Sequence, residues 1–289
     1  MSSSRRPRFD RRRFIQHLGL VAAAGPALLR TSSAARVNPP AIFPIEAGHY
    51  HFVPAGQVFC SGVRPDDGFE VVHAIVRPQL PLGDGYTFIE AYLHKLGLPI
   101  QALCGMELRV PAAMTFEAFR TFNAPYVEQL DKWGLMNGKY SAVCRTNVVP
   151  ALNPPREAVL HAFSYVAAST SNSSTFLVSG TADIDNRGKI VAAGDTSVSG
   201  MRDKMKYVID VITTRLAELE LEWGDATQVD LYAAADISDL WSSTILPALG
   251  GSAQAGVRLH HARPPIVGSE LELEARAVAQ ELTLRTSTS

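Results

Sequence analysis

Thr175-Phe-Leu-Val-Ser-Gly180 is a short apolar run that stops on Ser-Gly, and Gln57-Val-Phe-Cys-Ser-Gly62 is a second run of the same kind. Apolar runs of about four to eight residues bounded by glycine read as strands. What surrounds the second-half run is the clearer of the two. Asp185-Asn-Arg-Gly188 is a turn, and Lys189-Ile-Val-Ala192 would return as the other arm of a hairpin. Met201, Met205, Val208, Ile212, Leu216 and Leu219 then recur at steps of three and four, which gives a helix one apolar face. Gln228 to Ala233 alternates as a strand does. Ser238 can cap a second helix from Asp239 to about Leu249, interrupted by Pro247. Two strands close the chain, at 257–262 and 270–278. In the last one Leu271, Leu273, Ala275 and Ala277 share one face, and Glu270, Glu272, Glu274 and Arg276 share the other.

Working back, the first half follows the same order. A turn at Pro65-Asp-Asp-Gly68 is followed by a helix from Tyr86 to Leu96, a strand from Ala102 to Val110 and a helix from Thr115 to about Trp133. Phe116, Phe119, Phe122, Tyr126 and Leu130 form a stripe on that second helix. Strands around 144–149 and 158–167 complete it. Each half therefore reads as β-β-α-β-α-β-β, a sheet covered by two helices, and the fold class is α+β with an internal repeat. The polar stretch Ser169 to Thr175 divides the two, giving domains at 36–168 and 176–289.

The 289 residues are 46% hydrophobic and 19% charged, as in a chain with a substantial core. Seven of the arginines and a single acid, Asp10, fall within residues 1–35. Removing them takes the formal net charge from −1 to −7. The remainder is acidic, which argues against a broad nucleic-acid surface. Residues 1–35 read as a targeting segment. Asp10-Arg-Arg-Arg-Phe-Ile-Gln16 matches the twin-arginine export motif, and the apolar run Leu18–Leu29, too short to span a bilayer, leads to small residues near Ala35. A periplasmic or secreted protein, delivered by the twin-arginine machinery and holding no stable membrane span once mature, is the expectation. Cys60, Cys104 and Cys144 read as small buried apolar residues, with one disulfide in any of three pairings as the alternative that an oxidising compartment permits, and no CxxC pair occurs. His49-x-His51 is too weak a spacing to assign a metal.

Taken together, two strands ending Ser61-Gly62 and Ser179-Gly180, Phe122-Asn-Ala-Pro-Tyr126 on a helix, Cys144-Arg-Thr-Asn-Val-Val149 on a strand and Glu272-Leu-Glu-Ala-Arg-Ala277 on another resemble the Rid (YjgF-like) reactive-intermediate deaminases. The resemblance covers about residues 50–167 and 175–280. It implies two chorismate-mutase-like domains in tandem and hydrolysis of small carboxylate-bearing imines or enamines to keto compounds and ammonia. It implies no metal or organic cofactor, and a homotrimer with sites in clefts between subunits. Two-domain chorismate-hydrolysing enzymes share this fold, and a non-catalytic ligand-binding or protective module is the third reading.

The resemblance singles out Arg145 first. A guanidinium fork binds a carboxylate through two parallel hydrogen bonds and would hold an imino acid for attack by water. Glu272 matches the acid that positions or protonates the leaving nitrogen. Tyr50, Ser61, Gly62, Asn147, Ser179 and Gly180 are the expected substrate contacts. Aligning Pro154-Pro155 with Pro264-Pro265 puts Ala255 or Gly256 where the second half should carry its arginine, with Arg258 as a substitute on the same face, and puts Ala162 opposite Glu272. One competent site follows, with Arg145 from one half meeting Glu272 from the other.

Overall fold

The computed structural model describes residues 41–169 and 174–286. The twin-arginine motif, its cleavage site and most of the polar stretch between the halves lie outside the described residues.

The first strands are β1 (Phe43–Ile45), β2 (Tyr50–Val53), β3 (Gly62–Pro65) and the long β4 (Phe69–Pro81). Helix α1 (Leu82–Lys95), β5 (Leu103–Arg109) and α2 (Phe116–Lys132) follow. Then come a small hairpin, β6 (Met136–Asn137) and β7 (Tyr140–Ser141), and β8 (Cys144–Pro150) and β9 (Val159–Ala168). The second half holds β10 (Phe176–Ala182), α3 (Val198–Glu218), β11 (Gln228–Ala233), α4 (Leu246–Leu249), β12 (Val257–His260), β13 (Ala262–Arg263), β14 (Leu271–Ala277) and β15 (Gln280–Arg285). The α+β class expected from the periodicities is what the chain adopts. Both long helices start as their sequences dictate, with Thr115 Oγ1 accepting from Ala118 N and Ser197 Oγ from Gly200 N.

The halves exchange strands. One sheet runs β1-β2-β3-β10-β14-β11-β12 and the other β13-β8-β5-β9-β4-β15. The three N-terminal strands therefore join the second-half sheet, where Gly62 and Val63 pair with Val178 and Leu177. The C-terminal β15 runs parallel to β4 in the first-half sheet. Tyr50, Phe52 and Val63 still pack their side chains into the first-half core. Three local expectations change. Residues 57–61 are not a strand, because Gly56 and Cys60 bond to the 141–143 loop (Ser141 N to Gly56 O, Cys60 N to Val143 O) in place of a ladder. The return arm of the 185–188 turn reduces to one bridge, Ile184 to Ile190. The helix expected over 239–249 is broken into a short 3₁₀ turn, a π-helical turn at Trp241–Ile245 and α4, as Pro247 requires.

Each sheet has one apolar and one polar face. The apolar face of β5 (Cys104, Met106, Leu108) belongs to the core with Ile89 and Leu93 of α1 and Tyr126 and Leu130 of α2. The apolar face of β14 packs with Met201, Met205, Val208 and Ile212 of α3. The polar faces meet. Arg276 Nη1 lies 3.3 Å from Glu107, 3.0 Å from Asp230 and 2.6 Å from Glu274, and Thr146 Oγ1 donates to Glu274. His73 (3.5 Å) and Arg109 (3.3 Å) close on Glu107 from the same layer. The alternation of Glu272, Glu274 and Arg276 is thus buried between sheets, not solvated. Burial of charge at this density is sustained by pairing.

Candidate active site

Strand β10 carries the geometric irregularity that makes the site. Val178 pairs with Ala275 but Thr181 pairs with Leu273, so one extra residue is accommodated at Ser179-Gly180. Such a bulge kinks a strand and redirects its neighbours. Gly180 is needed there for space. A Cβ at this position would collide with the Glu272 carboxyl and come within 2.8 Å of Thr146 Oγ1. Ser179 does different work. Its Oγ donates to Cys60 O at 2.6 Å and accepts from Arg145 N at 3.1 Å, fastening β8 to the N-terminal crossing segment.

Beyond the bulge lies a cavity of about 820 Å³, bordered by Arg145, Asn147, Gly180, Arg215 and Glu272. That volume suits a small-molecule site. Its apolar wall includes Phe59, Phe116, Phe119, Val211 and Ile266. A far smaller cavity, about 30 Å³, sits in the polar layer between the sheets and has room for little more than a water.

Arg145 is 5% exposed. One nitrogen, Nη1, donates to Asn123 Oδ1 at 2.5 Å, and Asn123 is itself held by its Nδ2 on Phe119 O. The Tyr126 ring lies under the guanidinium, 4.4 Å from its carbon to the ring centroid. Nε and Nη2 have no hydrogen-bond partner among the described residues, and neither do the side-chain atoms of Asn147 or the hydroxyls of Tyr86 and Tyr126. Unpaired buried donors are costly. Burial lowers the Arg145 pKa, as expected for a cation with no anion against it.

Glu272 is buried on β14. Desolvation raises its carboxyl pKa to about 8, against a backbone hydrogen bond from Asn147 and the opposing pull of Arg109, Arg145 and Arg215. The group is therefore protonated at neutral pH and able to give up a proton.

Arg215 comes from α3. Its Nη1 donates to Ser179 O at 2.9 Å and to Thr181 Oγ1 at 2.6 Å, and its guanidinium carbon lies 5.7 Å from the centre of the Phe59 ring. No carboxylate lies within ion-pair distance of Arg145 or Arg215 among the described residues.

The comparisons with known proteins bear on this cavity. The profile of the family described as "2-aminomuconate deaminase CnbZ" matches residues 42–282, which include every residue of the candidate site. The chain belongs to the CnbZ family. A 2-amino-5-chloromuconate deaminase of Comamonas testosteroni is 32% identical over 244 residues, 82% of this chain and 96% of its own. Two solved structures are more remote. A chorismatase aligns with a TM-score of 0.43 at 15% identity, covering 79% of this chain and 81% of its own. A putative endoribonuclease of Thermotoga maritima aligns with a TM-score of 0.26 at 18% identity, covering 45% and 89%. At those scores neither likeness informs the site.

Within this CnbZ-family chain, four of the expected site residues meet: Arg145, Asn147, Gly180 and Glu272, drawn from both halves. The others do not reach the cavity. Tyr50 is wholly buried and donates to Leu103 O and Ala142 O, so it ties β2 to the first-half core. Ser61 is engaged through its backbone, its N–H on Val53 O and its carbonyl accepting from Ser179 N. Gly62 permits close packing, since a Cβ there would meet Leu219 Cδ1 at 2.7 Å and Leu177 O at 2.9 Å. Ser179 lies behind the bulge in the structural role given above. Arg258 does not replace a missing arginine; it is exposed and paired at both nitrogens with Glu281. His49 stacks on Phe69 and His51 pairs with Asp66. The three cysteines are buried thiols, with Cys60 and Cys144 sulfurs 3.6 Å apart. Arg215 escaped the sequence reading, because a lone arginine near the end of an amphipathic helix looks like a solvated charge.

Proposed function

We propose that the chain is a deaminase of 2-aminomuconate-type enamines, converting the C–NH₂ group to a carbonyl with release of ammonia. The observation that carries this reading is the convergence of Arg145 and the buried Glu272 carboxyl on one cavity in a CnbZ-family chain.

The residues divide the work as follows. Arg145 presents Nε and Nη2 to the carboxylate beside the amino-bearing carbon and fixes that carbon next to Glu272. Glu272 gives its proton to a carbon of the conjugated chain, which turns the enamine into the more electrophilic iminium. Water adds to the iminium carbon, and the proton it sheds returns through the Glu272 carboxylate to nitrogen. As the C–N bond breaks and ammonia leaves, the hydroxyl of the adduct gives its proton back to the Glu272 carboxylate and the carbonyl forms. One water is consumed and one ammonia released, with no change of oxidation state. Arg145 also stabilises charge that grows on the substrate as the double bonds shift. The apolar wall of Phe59, Phe116 and Phe119 would flank a planar diene.

The test is ammonia release from freshly generated 2-aminomuconate by the full-length purified protein. Arg145→Gln should lower kcat/KM by about 10²–10³-fold with the thermal melt preserved. No ammonia from the unaltered protein removes the proposal. Export rests on the Arg11–Gln16 motif alone; replacing Arg11 and Arg12 with lysine should retain the protein in the cytoplasmic fraction.

A further inference from the structure

The sheets pair their buried arginines closely. Arg276 has Glu107, Asp230 and Glu274 around it, and Arg109 has Glu107. The two arginines that border the cavity are treated differently. Neither has a carboxylate within ion-pair distance among the described residues, and both have pKa values lowered by burial. Glu272 borders the same cavity but lies within ion-pair distance of neither arginine among the described residues, and burial pushes its carboxyl pKa up to about 8. A chain that neutralises its other buried guanidinium groups and leaves these two exposed to one cavity has kept a place for two negative charges.

The two are not equivalent. Arg145 stands on a strand beside Asn147 and next to the Glu272 acid. Arg215 stands on α3 and is anchored by a single nitrogen to the bulge itself, through Ser179 O and Thr181 Oγ1. Its Nε and Nη2 make no hydrogen bond among the described residues, so one edge of the fork stays available for a bidentate partner. Each cation has a ring face beside it: Phe59 near Arg215, and Phe122 and Tyr126 near Arg145.

We infer that Arg215 is the specificity residue for a second, distal carboxylate, so that the site selects extended dianions over monoanions of the same length. This deepens the proposed deaminase reading, in which Arg145 takes the carboxylate next to the reacting carbon. Arg215 then sets register. With the far end clamped, the amino-bearing carbon cannot slide past Glu272.

The experiment separates the two claims by measuring binding without turnover. Muconate is the dienedioate lacking the amino group; sorbate keeps the diene and one carboxylate and loses the other. Calorimetric titration of the full-length protein should show muconate preferred over sorbate by about 30- to 100-fold, the worth of one charge-assisted pair. Arg215→Gln should erase that preference by weakening muconate while leaving sorbate unchanged. Arg215→Lys, which keeps the charge and loses the fork, should restore part of it, and equal melting temperatures would show that both variants fold. Absence of a preference in the unaltered protein, or a preference surviving in Arg215→Gln, overturns the inference. Muconate binding that depends on Arg215, without ammonia release from 2-aminomuconate, would sink the deaminase reading and leave the dianion site standing.

Discussion

Glu272 is the residue whose chemistry can be read most directly in solution. Its folded pKa of about 8 lies above that of a free carboxyl because burial opposes its charge. As the acid of the reaction it must hold its proton, so kcat/KM should be level below that value and fall as pH rises through about 8. Glu272→Gln should lose about 10²–10⁴-fold in rate and lose this alkaline limb. The same shift has a stability sign. Between the unfolded carboxyl pKa and about 8 the folded state binds the extra proton, so this group makes the protein less stable as pH rises across that window. Denaturant titrations should therefore find Glu272→Gln gaining on the unaltered protein from pH 5 to pH 8; a constant difference would refute the assignment. Arg145 and Glu272 were legible as residue types placed on recognisable strands. Arg215 was not, because nothing in a helix's periodicity tells which polar residue near its end will bend back over a bulge.

At the scale of elements, the bulge in β10 and the segment after it shape the cavity together. Gly180→Ala should displace the Glu272 carboxyl, cost about 1–3 kcal/mol from overpacking, and abolish turnover even where the fold survives. Circular dichroism beside an ammonia assay would distinguish this from simple unfolding. The segment from Asp183 to Val191 is held by a buried ion pair. Lys204 Nζ lies 2.8 Å from Asp183 Oδ2 and donates to Val191 O at 2.6 Å, with no exposure of either side chain, while Asp183 also accepts from Ser269 and the Glu270 backbone. Lys204→Met should cost about 3–5 kcal/mol, read as a loss of denaturation midpoint, because it strands the Asp183 charge. The elements themselves were mostly visible beforehand. The stripe on α2 is instructive: its spacing gave the helix, but not that Tyr126 and Leu130 would enter the core while Phe116 and Phe119 turned to the cavity. Periodicity fixes a face, and tertiary packing decides what each end of that face meets.

At the scale of the molecule, the repeat expected from the sequence hid how the two halves are joined. Two runs ending Ser-Gly suggested two self-contained sheets with a boundary near residue 169. The strands instead cross over, β1 to β3 one way and β13 and β15 the other. Strand pairing over such distances leaves no local signature, since an edge strand looks alike whichever partner accepts it. The polar face of β14 was equally ambiguous, because charges that alternate along a strand read as solvated until an opposite charged sheet is known. One consequence is testable in the whole chain. Fragments 41–169 and 174–286, expressed apart, should fail to fold, while the two mixed should recover a cooperative melt. Intact protein should unfold in one transition by both circular dichroism and tryptophan fluorescence; two separated transitions would contradict the shared architecture.

The crossing of the terminal strands also governs the order in which the molecule can be finished. Strand β15 is made after every other described strand, yet it pairs with β4 from the first half of the chain. A nascent chain still tethered at the ribosome must carry the first-half sheet with an open flank. Closure waits until β15 has left the ribosome, and a chain cut short before that strand would be left unsealed and open to proteolysis.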